Sequence, residues 1–266
     1  MLKFQILRVF QQMLTVPVVF GSKNSKKHLH KLSFSGVPEP ASTNPSSPQN
    51  SPRPVRVLVP NSHPGSGTVV VVGQPRGGTS VVAGLCHLIG APMGTDIDPS
   101  NMEDRTFREI QSATDRQRAI QRAVRTLDRL GQFRGFKDPL VIEYLDDLLP
   151  HLENPILVFV LRDVVAIAER ECVEGSDYLA SLSAADSRRR KKIHLLTGGS
   201  LSATPHCVMS YERTLAEPQT AFSQLSEFLT GGTDAGLRSA VRRLIIPNAR
   251  MPEDVNFVEI AKLKNF

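Results

Sequence analysis

The sequence predicts a three-layer α/β fold built around a central parallel sheet. Apolar runs of strand length alternate along the chain with stretches of helical periodicity, an order typical of parallel strands joined by crossover helices. The clearest run opens the predicted strand 69–73, where four consecutive valines indicate a strand buried on both faces. A loop with three glycines leads from this strand into an apolar helix predicted at 79–90.

The remaining elements continue this alternation. A loop at 91–101 is followed by a long helix predicted at 103–130, whose many arginines are interpreted as a solvent-exposed face. Ligands of parallel sheets bind beyond the carboxyl ends of the strands, so Gly73, Arg162 and Tyr211 should meet at one site. The later predicted elements are a helix at 140–149, a strand at 156–161, a helix at 163–173, a strand at 206–210 and a helix at 218–230.

The first 67 residues differ in composition from the rest of the chain. They contain eight Lys and Arg but a single acid, Glu39, whereas residues 68–266 carry 24 Lys and Arg against 25 acids. Eight of the 19 prolines fall within residues 38–64. We therefore predict a basic, largely disordered extension and linker over 1–67 and a folded domain over 68–266. Because the basic excess lies outside that domain, nucleic acid is not an expected partner.

Residues 1–20 combine apolar side chains at helical spacing with basic residues and contain no acid. The apolar run is too short and too interrupted by polar residues to span a bilayer. Three interpretations fit it: a helix on a membrane surface, an organelle-targeting segment, or a partly disordered extension. A cytoplasmic protein is expected, with peripheral membrane contact or organelle targeting through this segment as the alternatives.

Neither the cysteines nor the histidines indicate a metal site. Cys86, Cys172 and Cys207 lack the spacing of metal ligands, and an odd, sparse set does not form a disulfide framework. The seven histidines are scattered and include no HExxH pattern. We expect no metal cofactor.

Residues 73–80 read GQPRGGTS and favour an anion-binding site. A strand, a glycine loop and a helix N-terminus bring backbone N–H groups together at the positive end of the helix dipole. Gly73 and Gly78 have the spacing of a Walker A loop, but Thr79 stands where that motif has its lysine. This disfavours a kinase or nucleotide hydrolase, in which the lysine binds the β- and γ-phosphates. The alternative is an ordinary tight turn that binds nothing.

Four segments resemble signatures of sulfotransferases, the enzymes that use 3′-phosphoadenosine 5′-phosphosulfate (PAPS). GQPRGGTS resembles their 5′-phosphosulfate loop, and GFKDP at 135–139 is similar to the Lys-Asp-Pro motif of tyrosylprotein and many bacterial members. PILVFVLRDVVAIAER at 155–170 is similar to the second signature, a strand ending in Arg-Asp before a helix, and CVMSYER at 207–213 is a weaker match. The resemblance implies a P-loop-type domain that transfers a sulfuryl group from PAPS to a hydroxyl or amine of a small-molecule, glycan or peptide acceptor.

The resemblance also implies roles for individual residues. Lys137 would stabilise charge on the bridging oxygen as the sulfuryl group leaves, Arg162 would contact the 3′-phosphate, and Tyr211 would lie near the adenine. Without the resemblance, Lys137 is a surface lysine, Arg162 is the partner of a nearby carboxylate, and Tyr211 is a core residue. The 5′-phosphosulfate would be held by Arg76, Gly77, Gly78, Thr79 and Ser80, with Arg76 also counted as catalytic.

Two departures from the family pattern leave a second function open. Arg170 stands eight positions after Arg162, where the family has a serine that binds the 3′-phosphate; an arginine also binds phosphate. The chain has no tryptophan, although many relatives carry several near the site. The alternative to an enzyme is therefore a catalytically degenerate nucleotide-binding protein.

Glu103 is the candidate base for the acceptor, and its alternative role is to complement a helix dipole.

Overall fold

The computed structural model describes residues 53–232 and 241, so the predictions for residues 1–20 lie outside the described part of the chain. The strands are β1 (Val55–Val59), β2 (Gly67–Val72), β3 (Ile97–Asp98), β4 (Glu103–Asp104), β5 (Phe133–Lys137), β6 (Pro155–Leu161) and β7 (His206–Ser210). The helices are α1 (Thr79–Leu88), α2 (Arg105–Arg108), α3 (Arg116–Leu127), α4 (Leu145–Leu148), α5 (Val164–Val173), α6 (Tyr178–Thr197), α7 (Tyr211–Ala216) and α8 (Pro218–Thr230).

The main sheet has five strands in the order β1-β7-β6-β2-β5. All its neighbouring strands are parallel except β1, an edge strand that pairs antiparallel with β7. The predicted α/β fold with a central parallel sheet is confirmed, and the carboxyl ends of its parallel strands lie along one edge. β1 falls within the stretch interpreted as a linker; an edge strand tolerates flanking prolines because only one of its sides is paired.

The valine run of β2 separates two halves of the core. Val69 and Val71 pack with α1 and α8 on one side of the sheet, whereas Val70 and Val72 pack with α3 on the other side. Successive side chains of a strand point to opposite faces, so a strand covered on both sides is apolar throughout. All four valines are fully buried. The sheet is therefore the middle of three layers, with helices packed on both of its faces. The glycine loop connects the end of β2 to the start of α1.

The long helix predicted at 103–130 is wrong. This stretch instead forms β4, α2, a short 3-10 turn and α3, with a break before α3. Two acids define the separate helices, since Asp104 and Asp115 each accept a hydrogen bond from a first-turn N–H of the helix that follows. Both helices contribute apolar side chains to the same core, so the apolar spacing continues across the break.

Further stretches also differ from the predictions, among them β3, which lies in the predicted loop 91–101, and α7, where no element is predicted. β5 is not predicted, because Gly135 and the charged Arg134 and Lys137 obscure its strand character. α6 fills a stretch for which the sequence predicts no element. The helix predicted at 140–149 consists of a 3-10 turn followed by the short α4. Within residues 53–232, none of the helices has the length and apolar character needed to cross a membrane.

Candidate active site

The carboxyl ends of the parallel strands and the start of α1 enclose a cavity of about 830 Å³. The glycine loop, the β3–β4 hairpin, α2, the segment after β5, α5 and α7 all contribute to its walls. Every predicted site residue except Gly73 and Gly77 lines this cavity, namely Arg76, Gly78, Thr79, Ser80, Glu103, Lys137, Arg162, Arg170 and Tyr211. Residues that are up to 135 positions apart in the sequence are thus brought to one place.

The glycine loop owes its shape to close contacts that a side chain would prevent. A Cβ at Gly73 would lie 2.0 Å from Cγ2 of Thr79, and a Cβ at Gly78 would lie 2.0 Å from Cδ2 of Tyr211. Gly78 also has a φ of +81°, a left-handed conformation that glycine adopts without strain. The loop therefore fits closely against Tyr211 at the start of α7.

The start of α1 is suited to bind an anion. Gly77 closes the preceding turn by donating its N–H to the carbonyl of Gln74 at 2.9 Å. The N-cap residue Gly78 has no side chain, so no side-chain cap occupies the first-turn N–H groups of α1. These N–H groups and the hydroxyls of Thr79 and Ser80 are available at the positive end of the helix dipole.

Arg76 has an unusual backbone conformation, and both its guanidinium group and its backbone carbonyl are held by contacts with other residues. Its φ is +58°, which is unfavourable for a residue with a side chain. Its guanidinium pairs with the carboxylate of Glu174, the C-cap residue of α5, and its carbonyl accepts a hydrogen bond from Nη1 of Arg162 at 2.6 Å. The loop is thereby fastened to the α5 side of the cavity.

Lys137, the last residue of β5, is a buried cation that hydrogen-bonds to both α1 and the β3–β4 hairpin. Its Nζ donates to Oε1 of Glu103 at 2.9 Å, to the carbonyl of Asn101 at 3.0 Å and to Oγ of Ser80 at 3.3 Å. Burial lowers the pKa of Lys137, and the charge of Glu103 opposes that shift. The residue is 2% exposed, so the alternative of a surface lysine is wrong.

Glu103 lies opposite Asp98 in the β3–β4 hairpin, and its side chain is 16% exposed. Because Glu103 belongs to a strand and not to a first helical turn, its alternative role beside a helix dipole is wrong. Its carboxylate lines the cavity next to Lys137. The pair is therefore an acid and a base in direct contact at the place where the predicted chemistry would occur.

Arg162, Arg170 and Tyr211 form a cationic and aromatic group at the α5 side of the cavity. The guanidinium carbon of Arg162 lies 4.7 Å from the centre of the Tyr211 ring, a cation–π distance. Burial raises the pKa of Tyr211, and Arg162 opposes that shift. Arg170 Nε lies 3.9 Å from a carboxylate oxygen of Glu174, which also binds Arg76. Three guanidinium groups on one side favour an anionic ligand.

Asp138 is a second buried acid of the cavity wall, to which the sequence assigns no role in binding. Its carboxylate accepts hydrogen bonds from the hydroxyl of Tyr144 at 2.6 Å, Nε2 of Gln111 at 3.1 Å and the N–H of Leu140 at 3.0 Å. Burial raises the pKa of Asp138, and these hydrogen bonds oppose the shift. The network fixes the backbone that follows Lys137.

Arg108 and Gln111 also line the cavity and are missed by the sequence analysis. A single helix over 103–130 would place Arg108 on a solvent-exposed face. The available signal is the spacing of Asp104 and Asp115, residue types that favour the N-cap and so indicate two helix starts.

Among solved structures, the chain is similar to the sulfotransferase domain of the Synechococcus PCC 7002 olefin synthase, at 12% identity and a TM-score of 0.39, over 77% of this chain and 97% of that chain. It is also similar to the sulfotransferase domain from the curacin biosynthetic pathway, at 14% identity and a TM-score of 0.43, over 73% and 83% of the two chains. Both are sulfotransferase domains. No protein-family model and no curated protein matches the chain. At these identities the chemistry has to be read from the site's own side chains.

Proposed function

We propose that this protein is a PAPS-dependent sulfotransferase acting on a hydroxyl or an amine. The observation that carries the proposal is Lys137, a buried cation that shares one cavity with an uncapped helix N-terminus and four arginines. Thr79 replaces the lysine of a Walker loop, and Lys137 supplies a cation to the loop from β5 instead, 3.3 Å from Oγ of Ser80.

The cavity offers a complementary group for each part of PAPS, which supplies an activated sulfuryl group when bound. The first turn of α1, with Thr79 and Ser80, suits the 5′-phosphosulfate. Arg162 and Arg170 suit the 3′-phosphate, and the ring of Tyr211 suits the adenine. The volume of about 830 Å³ is also that of a pocket for a small organic molecule.

In the proposed reaction the acceptor oxygen or nitrogen forms a bond to sulfur while the bond between sulfur and the bridging oxygen breaks. The products are the sulfated acceptor, adenosine 3′,5′-bisphosphate and a proton. Lys137 would neutralise charge on the bridging oxygen, and Glu103 would take the proton of the acceptor. The two groups pair with each other at 2.9 Å, so neither is an isolated charge before substrates bind.

Calorimetric titration of the full chain with adenosine 3′,5′-bisphosphate, with ATP in parallel, tests the nucleotide site. We expect the bisphosphate to bind at least about tenfold more tightly, because ATP lacks the 3′-phosphate that would bind Arg162 and Arg170. The opposite order of affinities would contradict the proposal and favour a nucleotide-hydrolysing enzyme.

Replacement of Lys137 tests the chemistry. Lys137→Met should lower sulfuryl transfer from PAPS to a panel of phenols and amines by about 100-fold or more, since a preorganised charge is lost. Bisphosphate binding should persist. Lys191→Met is the matched control, because Lys191 is an exposed lysine of α6 that pairs with Glu143. Full transfer by Lys137→Met would reject the assigned role, and a wild type that binds bisphosphate but transfers to no acceptor would be a degenerate binding protein.

A further inference from the structure

The cavity has a second part, which the nucleotide site does not use. We call the wall formed by the β3–β4 hairpin, α2 and residues 138–140 the acceptor half. Lys137 connects the two parts, because its Nζ bonds to Ser80 of α1 on one side and to Glu103 and Asn101 of the hairpin on the other. If PAPS occupies the glycine loop, as the proposed function requires, an acceptor has to approach Lys137 from this half.

The two acids of the acceptor half that line the cavity, Glu103 and Asp138, are already engaged. Glu103 forms the ion pair with Lys137 at 2.9 Å. The carboxylate of Asp138 accepts from Tyr144 and Gln111 and from a backbone N–H, as described above. An acceptor with a positive group would therefore compete with existing partners of either acid.

Arg108 is different from the other cations of the cavity. Arg76 pairs with Glu174, Arg170 lies close to that same carboxylate, and Lys137 pairs with Glu103. Arg162 donates to the carbonyl of Arg76 and lies over the ring of Tyr211. The exposed guanidinium of Arg108 forms no hydrogen bond or ion pair with any residue of 53–232, and its only electrostatic interaction there is the effect of its charge on the carboxylate of Asp98. The nearby acid Asp98 accepts hydrogen bonds from the N–H and hydroxyl of Ser100 instead.

We propose that the acceptor carries an anionic group, a carboxylate or phosphate, in addition to its nucleophilic hydroxyl or amine, and that Arg108 binds this group. Arg108 is thus a specificity-determining residue of the acceptor half. A guanidinium binds carboxylates and phosphates through paired N–H donors, whereas neutral acceptors gain no such contact. The proposal rests on the proposed function, and it adds the chemical class of the acceptor.

Three phenols of similar size and different charge test it: 4-hydroxyphenylacetate, 4-ethylphenol and tyramine. With wild type, kcat/KM for sulfuryl transfer should be at least about tenfold higher for the anionic phenol than for the neutral one. Arg108→Gln should abolish this preference, mainly through KM, and Arg108→Glu should favour tyramine. Arg105→Gln is the matched control, since Arg105 lies on the same helix, pairs with Asp96 and does not line the cavity.

Direct binding of the same phenols, measured by calorimetry with bisphosphate present and absent, separates the two proposals. Stronger binding of 4-hydroxyphenylacetate than of 4-ethylphenol that depends on Arg108 supports the anionic site even if no sulfuryl transfer occurs, in which case only the proposed function fails. Equal binding of the two phenols by wild type, or a preference for the anion that survives in Arg108→Gln, overturns the inference. Unchanged bisphosphate affinity of each variant shows that the cavity is intact.

Discussion

At the scale of single residues, Gly78 and Gly90 separate the backbone strain of a residue with a side chain in the left-handed region from the steric clash of its Cβ with a neighbour. Gly78 has a φ of +81° and lies against the Tyr211 ring, whereas Gly90 has a φ of +103° and has nothing within 4 Å of the position of a Cβ. Gly90→Ala should lower the free energy of unfolding by about 1–2 kcal/mol, the cost of that conformation alone. Gly78→Ala should lower it further and weaken bisphosphate binding about tenfold or more, because Tyr211 must move.

Urea unfolding and calorimetry of the two variants measure these effects. If Gly78→Ala binds bisphosphate as tightly as Gly90→Ala does, the close fit of the loop to Tyr211 has no part in binding.

The sequence predicts the position of the candidate site better than the partners of its residues. Strand ends and motif spacing place Arg76, Lys137, Arg162 and Tyr211 in one cavity, because parallel strands end at the same edge of a sheet. Their pairing depends on long-range contacts that no local pattern encodes. The contact of Arg76 with Glu174, for example, joins residues 98 positions apart. The implied roles of these residues in PAPS chemistry stay predictions.

At the scale of elements, the helix caps decide where α2 and α3 separate. The Asp115 carboxylate accepts from the N–H of Arg118 at 3.0 Å and forms no other hydrogen bond or ion pair with residues 53–232. Asp115→Ala should lower the free energy of unfolding by about 1 kcal/mol, the usual contribution of such a cap, as measured by urea unfolding. Asp115→Asn is the matched control, because an asparagine caps almost equally well. Equal stability of all three proteins would contradict the assignment of the cap.

Elements buried on both faces, or with one clear apolar face, are the ones that the sequence predicts well. β2, β6, β7, α1, α5 and α8 all begin and end within about two residues of their predicted bounds. β5 escapes prediction because its charges are neutralised at a distance: Arg134 pairs with Asp128 and Glu153, and Lys137 pairs with Glu103. α6 escapes prediction because four of its five arginines and lysines pair with acids of α6 itself or of neighbouring elements, and such pairs leave no apolar periodicity in the sequence.

At the scale of the whole molecule, α6 is joined to the sheet through a buried charge. Lys192 is 1% exposed, and its Nζ donates to the carbonyl of Val160 near the end of β6 at 3.2 Å. Within residues 53–232 no carboxylate pairs with this ammonium. Burial lowers the pKa of Lys192 to about 8, and the nearby Arg188 contributes to the shift. At neutral pH the folded protein therefore holds a desolvated cation that the unfolded chain would hydrate.

Loss of the Lys192 proton should stabilise the folded protein progressively as the pH rises above about 8, and comparison with a variant isolates this contribution from those of other titrating groups. The pKa of Lys192 is near 8 in the folded protein and 10.5 as the unperturbed value, so between these values the unfolded chain binds more protons and unfolding becomes less favourable. In Lys192→Met this contribution is absent. Relative to Lys192→Met, the wild type should therefore gain on the order of 3 kcal/mol of unfolding free energy between pH 7 and 10.5. Lys191→Met, which removes an exposed lysine, is the control, and its free energy of unfolding in urea should depend on pH as that of the wild type does. If the free energies of unfolding of Lys192→Met and wild type change with pH in parallel, Lys192 is not a desolvated cation.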